Sequence, residues 1–244
     1  MGNIKQKGKI TAVLFDWDLT LAYTEGIDTY EERLQLIFQH AGLNYTVEEI
    51  EDAVRDYQLD TGMLGQNLPE SALQTRQNIA DYYRQLLVRL GYINENWTFY
   101  DRLYDVFAKI PSLLYKDSVP ALQALKKRGL VLGIITNHSS LIRPVIDAHV
   151  GEYISSSHVI ISQDLQVYKP DPAIFRHAAR QIGILPENCL FVGDNLEVDA
   201  IGAVQRGGFA QGLWLDRKTN TAVLPHLPEH VHRITSLSQI TQFV

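Results

Sequence analysis

Three short apolar runs, each stopping at polar residues, constrain the fold of this chain more than any other feature. The runs and their polar ends are 12–15 before Asp16, 130–135 before Thr136, and 189–192 before Gly193 and Asp194. Runs of about four to six aliphatic or β-branched residues are typical of strands buried on both faces, as in a parallel sheet. Residues 156–161 and 210–215 predict two further strands, and 231–234 a weaker one.

Segments with helical periodicity lie between the second and third runs, at 120–128 and 172–182. A strand followed by a helix, repeated, predicts an α/β fold with a Rossmann-like, doubly wound parallel sheet. Residues 23–112 differ, because they show helical periodicity without a convincing strand; the helical segments are 29–40, 47–59, 73–90 and 100–110. This predicts a separate all-α unit inserted after the first strand. The alternative is that these helices pack directly on the sheet.

Composition excludes several classes of function. The formal net charge is −6 and no basic stripe is present, so a nucleic-acid surface is not expected. No apolar run approaches the ~20 residues of a membrane span, and the N-terminus lacks the apolar segment of a signal peptide. The lone Cys189 lies in an apolar run, which indicates a small core residue and a reducing compartment. We therefore expect a cytoplasmic protein that does not bind membranes.

Two carboxylates, Asp16 and Asp18, follow the first predicted strand. If the backbone is still extended there, the two side chains project to the same side. Ligands bind outside the carboxyl ends of the strands in open α/β sheets. Like charges held there are costly unless a cation neutralises them, so the pair indicates a hard metal such as Mg²⁺. An Asp-x-Asp sequence also occurs by chance in turns.

Other predicted strand ends add polar groups. Asp194 follows Gly193, which permits a tight turn, and Asp199 falls in the first turn of the next predicted helix, where capping is the alternative role. Thr136 offers a hydroxyl, and backbone N–H groups near Asn137 suit phosphate oxygens.

Lys169 precedes Pro170, which keeps it out of any helix, so its ammonium could neutralise a phosphate. Taken alone, an exposed Lys is more often a solvated surface residue, and a Thr at a strand end more often begins a turn.

Four motifs in this order and spacing resemble the haloacid dehalogenase-like (HAD) hydrolase superfamily: FDWDLT, IITN, YKPDPAIF and FVGDNLEVDA. The resemblance spans residues 13–199. It implies a phosphatase with an α-helical cap domain at 23–112 and a catalytic core formed by 1–22 and 113–244. It also implies a small phosphorylated metabolite as substrate and Mg²⁺ as cofactor.

The resemblance implies a role for each matching residue. Asp16 would be the nucleophile that forms an aspartyl-phosphate, and Asp18 the general acid/base. Thr136, the backbone around Asn137, and Lys169 would hold the phosphoryl group. Mg²⁺ would be bound by Asp194, the Asp16 carboxylate and the Asp18 carbonyl, with Asp199 supporting the metal or Lys169. The presence of Asp18 favours a phosphatase, because halide-releasing members lack this acid.

Several alternatives stay open. A sugar phosphomutase of the same family would use the same residues, and a catalytically idle binding protein would keep the fold alone. A phospho-receiver domain is about half this length, which argues against that class of protein. No Gly-rich nucleotide loop is present, so an enzyme with a nucleotide cofactor is not supported.

The histidines near the C-terminus, His226, His230 and His232, match no zinc pattern and are expected at the surface.

Substrate specificity is expected to reside in the cap, for example in the loop 62–69 with Gln66 and Asn67. The expected hinges lie near 23–26 and 111–115. The sequence does not indicate an oligomeric state or one particular substrate.

Overall fold

The computed structural model describes residues 9–62, 75–107, 109–217 and 226–244. Its strands are β1 (Ala12–Phe15), β2 (Ala22–Tyr23), β3 (Leu113–Leu114), β4 (Val131–Thr136), β5 (Val159–Ile161), β6 (Cys189–Gly193), β7 (Gln211–Leu215) and β8 (Val231–Ile234). Its α-helices are α1 (Tyr30–His40), α2 (Val47–Thr61), α3 (Arg76–Arg89), α4 (Trp97–Phe107), α5 (Ser118–Lys127), α6 (Arg143–Val150), the single turn α7 (Ser162–Leu165) and α8 (Pro172–Gln181). A π-helix covers Leu196–Arg206.

Six strands form one parallel sheet in the order β5-β4-β1-β6-β7-β8. Strand β1 lies in the middle, where Phe15 pairs with Ile134 of β4 and with Val192 of β6. Because the strands are parallel, all their carboxyl ends lie at one edge of the sheet. The expected α/β, Rossmann-like sheet is therefore confirmed.

Both faces of the sheet are buried, which explains why the strand sequences are apolar without alternation. In β1, Val13 and Phe15 point into a core shared with α5, α6 and the C-terminal turn Leu237–Gln242. Ala12 and Leu14 point into a second core shared with α8. Cys189 is a free, buried thiol in this second core, as its apolar surroundings in the sequence indicated.

The chain divides into two compact units, Met1–Tyr23 with Leu113–Val244, and Thr24–Ser112. The second unit consists of α1 to α4 around its own aromatic-rich core. Two of its helices begin with a capping box, in which Thr29 pairs with Glu32 and Thr46 with Glu49. Inside the first unit, β2 and β3 form an antiparallel ribbon where the chain leaves and re-enters it.

Some element boundaries differ from the sequence-based predictions. The strand expected over 156–161 begins only at Val159, because Ser156–His158 forms a 3₁₀ turn. The helix expected after Asp194 is present, and it is a π-helix. The loop 62–69, with Gln66 and Asn67, lies outside the described residues apart from Gly62 at the C-cap of α2. None of the described helices has the length and apolarity needed to cross a membrane.

Candidate active site

Three neighbouring strands deliver polar residues to the same edge of the sheet. Asp16 directly follows β1, Thr136 ends β4, and Asp194 directly follows β6. The Asp16 backbone N–H still donates to the Val192 carbonyl at 2.9 Å, so the chain remains paired where the carboxylate emerges. The sheet therefore fixes the base of a polar site at its carboxyl edge.

Lys169 connects two of the acids. Its Nζ donates to Asp16 Oδ1 at 2.7 Å and to Asp199 Oδ1 at 2.7 Å. The lysine is only 3% exposed, and its ammonium also lies 5.2 Å from the centre of the Phe191 ring. A buried ammonium needs such partners, because an unpaired charge in the interior is very costly. The lysine is thus a fixed part of the site and not a solvated surface residue.

Asp16, Asp194 and Asp199 each offer a carboxylate oxygen, and these atoms all lie within 4.8 Å of one another. One ammonium cannot balance this charge. Burial raises the pKa of Asp16 to about 7, against the opposing effect of Lys169. Burial and the neighbouring carboxylates also raise the pKa of Asp194 well above its ordinary range. Such destabilised carboxylates fit a site for a hard divalent cation with oxygen ligands.

The pKa of Lys169 agrees with this excess of negative charge. Burial acts to lower the pKa of its ammonium, but the charges of Asp16 and Asp199 outweigh burial and hold that pKa above its ordinary value. The lysine is therefore a permanent cation at neutral pH.

The Asp199 side chain packs directly against Gly193. A Cβ atom at position 193 would lie 2.3 Å from the Asp199 Cγ, so only glycine leaves room for this carboxylate. Asp199 Oδ2 also accepts the Asn195 backbone N–H at 3.1 Å. The Asn195 side chain in turn caps the π-helix by accepting from the N–H groups of Glu197 and Val198. Gly193 and Asn195 thereby fix the turn after β6, which carries Asp194 and leads to Asp199.

Asp194 itself is held through its backbone. The Trp214 indole Nε1–H donates to the Asp194 carbonyl at 2.9 Å. Trp214 belongs to β7, the next strand in the sheet, so this bond ties the turn to the strand beside it.

Asp18 and Thr136 are also at this edge. Asp18 is partly exposed and forms an isolated bridge with Ala22, while the intervening Leu19 adopts a positive φ of 57°. Thr136 is 1% exposed. Trp17, between the two acids, is fully buried in the apolar core.

Asn137 does not present a free side chain. Its Nδ2 donates to the Lys169 carbonyl at 2.9 Å, and its Oδ1 accepts the Lys169 backbone N–H at 2.7 Å. Sequence patterns do not predict this pairing, because the two residues lie 32 positions apart.

Sequence reasoning also missed His138. The ring is 7% exposed, its Nε2 lies 3.9 Å from Asp18 Oδ2, and its Nδ1 lies 3.1 Å from the Ser139 carbonyl. Its backbone is held by Ser162, whose hydroxyl contacts both the N–H and the carbonyl of His138. The only signal was its place directly after the Thr136-Asn137 pair, which by itself is weak.

The C-terminal histidines form no metal site within the described part of the chain. His226 and His232 are exposed, and His230 is partly exposed with its Nε2 3.3 Å from Glu229. The acidic group that could hold a metal is formed by Asp16, Asp194 and Asp199.

Comparisons with known proteins agree with this geometry. A family model described as haloacid dehalogenase-like hydrolase matches residues 10–207. The chain is 30% identical to the glyceraldehyde 3-phosphate phosphatase of Methanopyrus kandleri, over 81% of each protein. It is 33% identical to an (S)-2-haloacid dehalogenase of Pseudomonas putida, over 55% of this chain and 57% of the relative.

The fold also matches a solved structure, that of a HAD phosphatase from Thermococcus onnurineus. The TM-score is 0.61 at 20% identity, covering 96% of this chain and 97% of the other. The family model covers most of the chain, including every strand from β1 to β6. The chain therefore belongs to the haloacid dehalogenase-like hydrolase family.

Proposed function

We propose that this protein is a Mg²⁺-dependent phosphatase that hydrolyses a small phosphorylated metabolite through an aspartyl-phosphate on Asp16. The observation that carries the proposal is the ammonium of Lys169 bound at 2.7 Å to both Asp16 and Asp199, with Asp194 in the same acidic group. This arrangement combines a buried carboxylate nucleophile with groups that offset the negative charge of a phosphate.

Asp16 would attack phosphorus with the oxygen that Lys169 leaves free. Its Oδ1 is bound to the ammonium, so Oδ2 is the atom available to form the new O–P bond. As that bond forms, the bond from phosphorus to the leaving oxygen breaks, and Asp18 would protonate the departing oxygen. The deprotonated Asp18 would then take a proton from water, which attacks phosphorus, releases inorganic phosphate and restores Asp16.

The acidic residues fit a magnesium ion. Asp16 and Asp194 would bind it with their carboxylates and Asp18 with its carbonyl, while Asp199 would act through Lys169, to which it is bound. Bound Mg²⁺ supplies charge neutralisation for the phosphate oxygens and lowers the electrostatic cost of crowding these carboxylates. Thr136 and the backbone N–H groups near Asn137 would bind the remaining oxygens of the phosphoryl group.

Asp18 supports a phosphatase over a dehalogenase. An alkoxide leaving group needs a proton, whereas a halide does not, and Asp18 is the acid placed at this edge. The relative from Methanopyrus kandleri, named a glyceraldehyde 3-phosphate phosphatase, makes three-carbon sugar phosphates the first substrates to test. The helical unit Thr24–Ser112 would serve as the cap that selects among such substrates.

A phosphate-release assay over a panel of small phosphate monoesters tests the proposal. We expect turnover with Mg²⁺, none after chelation with EDTA, and none for Asp16→Asn although the variant folds. Halide release from 2-haloacids would instead indicate a dehalogenase, and an isomerised sugar phosphate without free phosphate would indicate a mutase. Absence of any product would indicate an idle member of the family.

A further inference from the structure

The backbone of Lys169 receives its hydrogen bonds from a side chain. Lys169 lies between α7 and α8 in a segment without helix or strand, so no ladder satisfies its N–H and C=O groups. Buried backbone groups of this kind need partners. Both groups are bonded to Asn137: the N–H at 2.7 Å to Oδ1, and the C=O at 2.9 Å from Nδ2.

Only a carboxamide in one orientation can make this pair of bonds. The Lys169 N–H requires an acceptor and its carbonyl requires a donor, which fixes the positions of Oδ1 and Nδ2 in Asn137. Asp has two acceptors, so one of them would oppose the Lys169 carbonyl. Ala has neither group. The Asn137 side chain thus takes the place that a neighbouring strand would have in a sheet.

We propose that Asn137 is a positioning residue that holds Lys169 against Asp16, and that its side chain does not bind the phosphate. The effect of this contact on turnover rests on the proposed phosphatase function. Asn137 directly follows β4, the strand beside β1, so it links the position of Lys169 to the strand next to the nucleophile. Each of its amide atoms is bonded to the Lys169 backbone, so these two bonds account for the orientation of the side chain without any contact to a substrate.

The contact restricts a long side chain. A lysine has four rotatable side-chain bonds, and its ammonium reaches both Asp16 and Asp199 only if the backbone is correctly placed. A shift of about 1 Å in such a group costs about 100-fold in rate. Loss of the Asn137 side chain should therefore act on the rate through Lys169.

A double-mutant cycle tests this coupling. We expect Asn137→Ala to lower kcat by about 100-fold, with KM changed by no more than about 3-fold. In a Lys169→Ala background the same substitution should change the remaining rate by less than about 3-fold, because residues acting as a unit are not additive. An equal loss in both backgrounds would show that Asn137 acts directly on the substrate and would overturn the proposal.

Two further variants distinguish this positioning role from a non-specific effect of substitution on the fold. Asn188→Ala removes an Asn at the opposite edge of the same sheet, just before β6, and should leave kcat unchanged. Asn137→Asp keeps the shape and the acceptor but loses the donor, and should be at least as slow as Asn137→Ala. Near-normal turnover by Asn137→Asp would show that the bond to the Lys169 carbonyl is not required.

A crystal structure of each Asn137 variant gives a readout that does not depend on turnover. We expect the Lys169 ammonium to lose its contact with Asp16, Asp199 or both. If it keeps both contacts at the present 2.7 Å in Asn137→Asp, the proposal is wrong whatever the kinetics. A wild-type protein without phosphatase activity would contradict the proposed function, but the structural test of the Asn137 contact would still apply.

Discussion

Replacing Lys169 by Met should destabilise the protein strongly at pH 8. The substitution keeps an aliphatic stem but removes the ammonium that lies 2.7 Å from both Asp16 and Asp199. Both acids are largely buried, with side chains 11% and 2% exposed. Leaving buried charge without its partner costs about 3–5 kcal/mol. We therefore expect the free energy of unfolding to fall by about that amount in metal-free buffer.

The same substitution should cost less at pH 5. The pKa of Asp16 is already raised to about 7 in the intact protein, from 3.8, mainly by burial. Without the ammonium that pKa rises further, so the folded variant takes up protons as the pH falls and loses the unpaired charge. Each unit of additional pKa shift corresponds to about 1.4 kcal/mol. The penalty at pH 5 should therefore be smaller by about 1–2 kcal/mol.

Urea unfolding of the wild type and the variant at both pH values, in the presence of EDTA, measures this difference. Lys126→Met is the matched control, because its ammonium donates to a backbone carbonyl, that of Glu152, and not to a carboxylate. The control should show a small effect of equal size at both pH values. A penalty for Lys169→Met below about 1 kcal/mol, typical of exposed ion pairs, or one independent of pH, would refute the electrostatic reasoning.

Three other outcomes follow from the same geometry. Gly193→Ala should lower both melting temperature and turnover, because its Cβ would lie 2.3 Å from the Asp199 Cγ; an unchanged melting curve would contradict the close packing. Mg²⁺ should raise the melting temperature more at pH 8 than at pH 5, because protons compete with the metal for carboxylates whose pKa values are raised; calorimetry at the two pH values checks this. At subsaturating Mg²⁺, kcat/KM should fall as the pH drops below about 7, because Asp16 must be ionised to attack. Saturating Mg²⁺ should move this acidic side of the pH–rate profile to lower pH.

The sheet could be predicted because its signal is local. The strands before Asp16, Thr136 and Asp194 are buried on both faces, so each appears in the sequence as an unbroken apolar run. The strand order places β1 between β4 and β6, and this depends on pairing between distant segments that no run of residues encodes by itself. Parallel strands then bring the three polar ends together, which is why acidic residues at strand ends were informative.

The contacts made by side chains could not be predicted in the same way. The backbone around Asn137 is predicted to bind the phosphate, but the sequence does not reveal that the Asn137 side chain binds the backbone of Lys169. His138 shows no periodicity that distinguishes a residue beside Asp18 from any other buried histidine. These contacts require segments far apart in the chain to be positioned to within about an ångström of one another, and residue types constrain that positioning only weakly.

The central claim is that Asp16 carries the phosphoryl group, and chemical trapping tests it most directly. The enzyme is mixed with a substrate identified in the phosphate-release panel, quenched in acid during turnover, and treated with borohydride, which reduces an acyl phosphate to an alcohol. Peptide mass spectrometry should then find homoserine at position 16 in the wild type and not in a sample without substrate. Turnover with an unmodified Asp16, and with the reduction product at another residue or at none, would contradict the account.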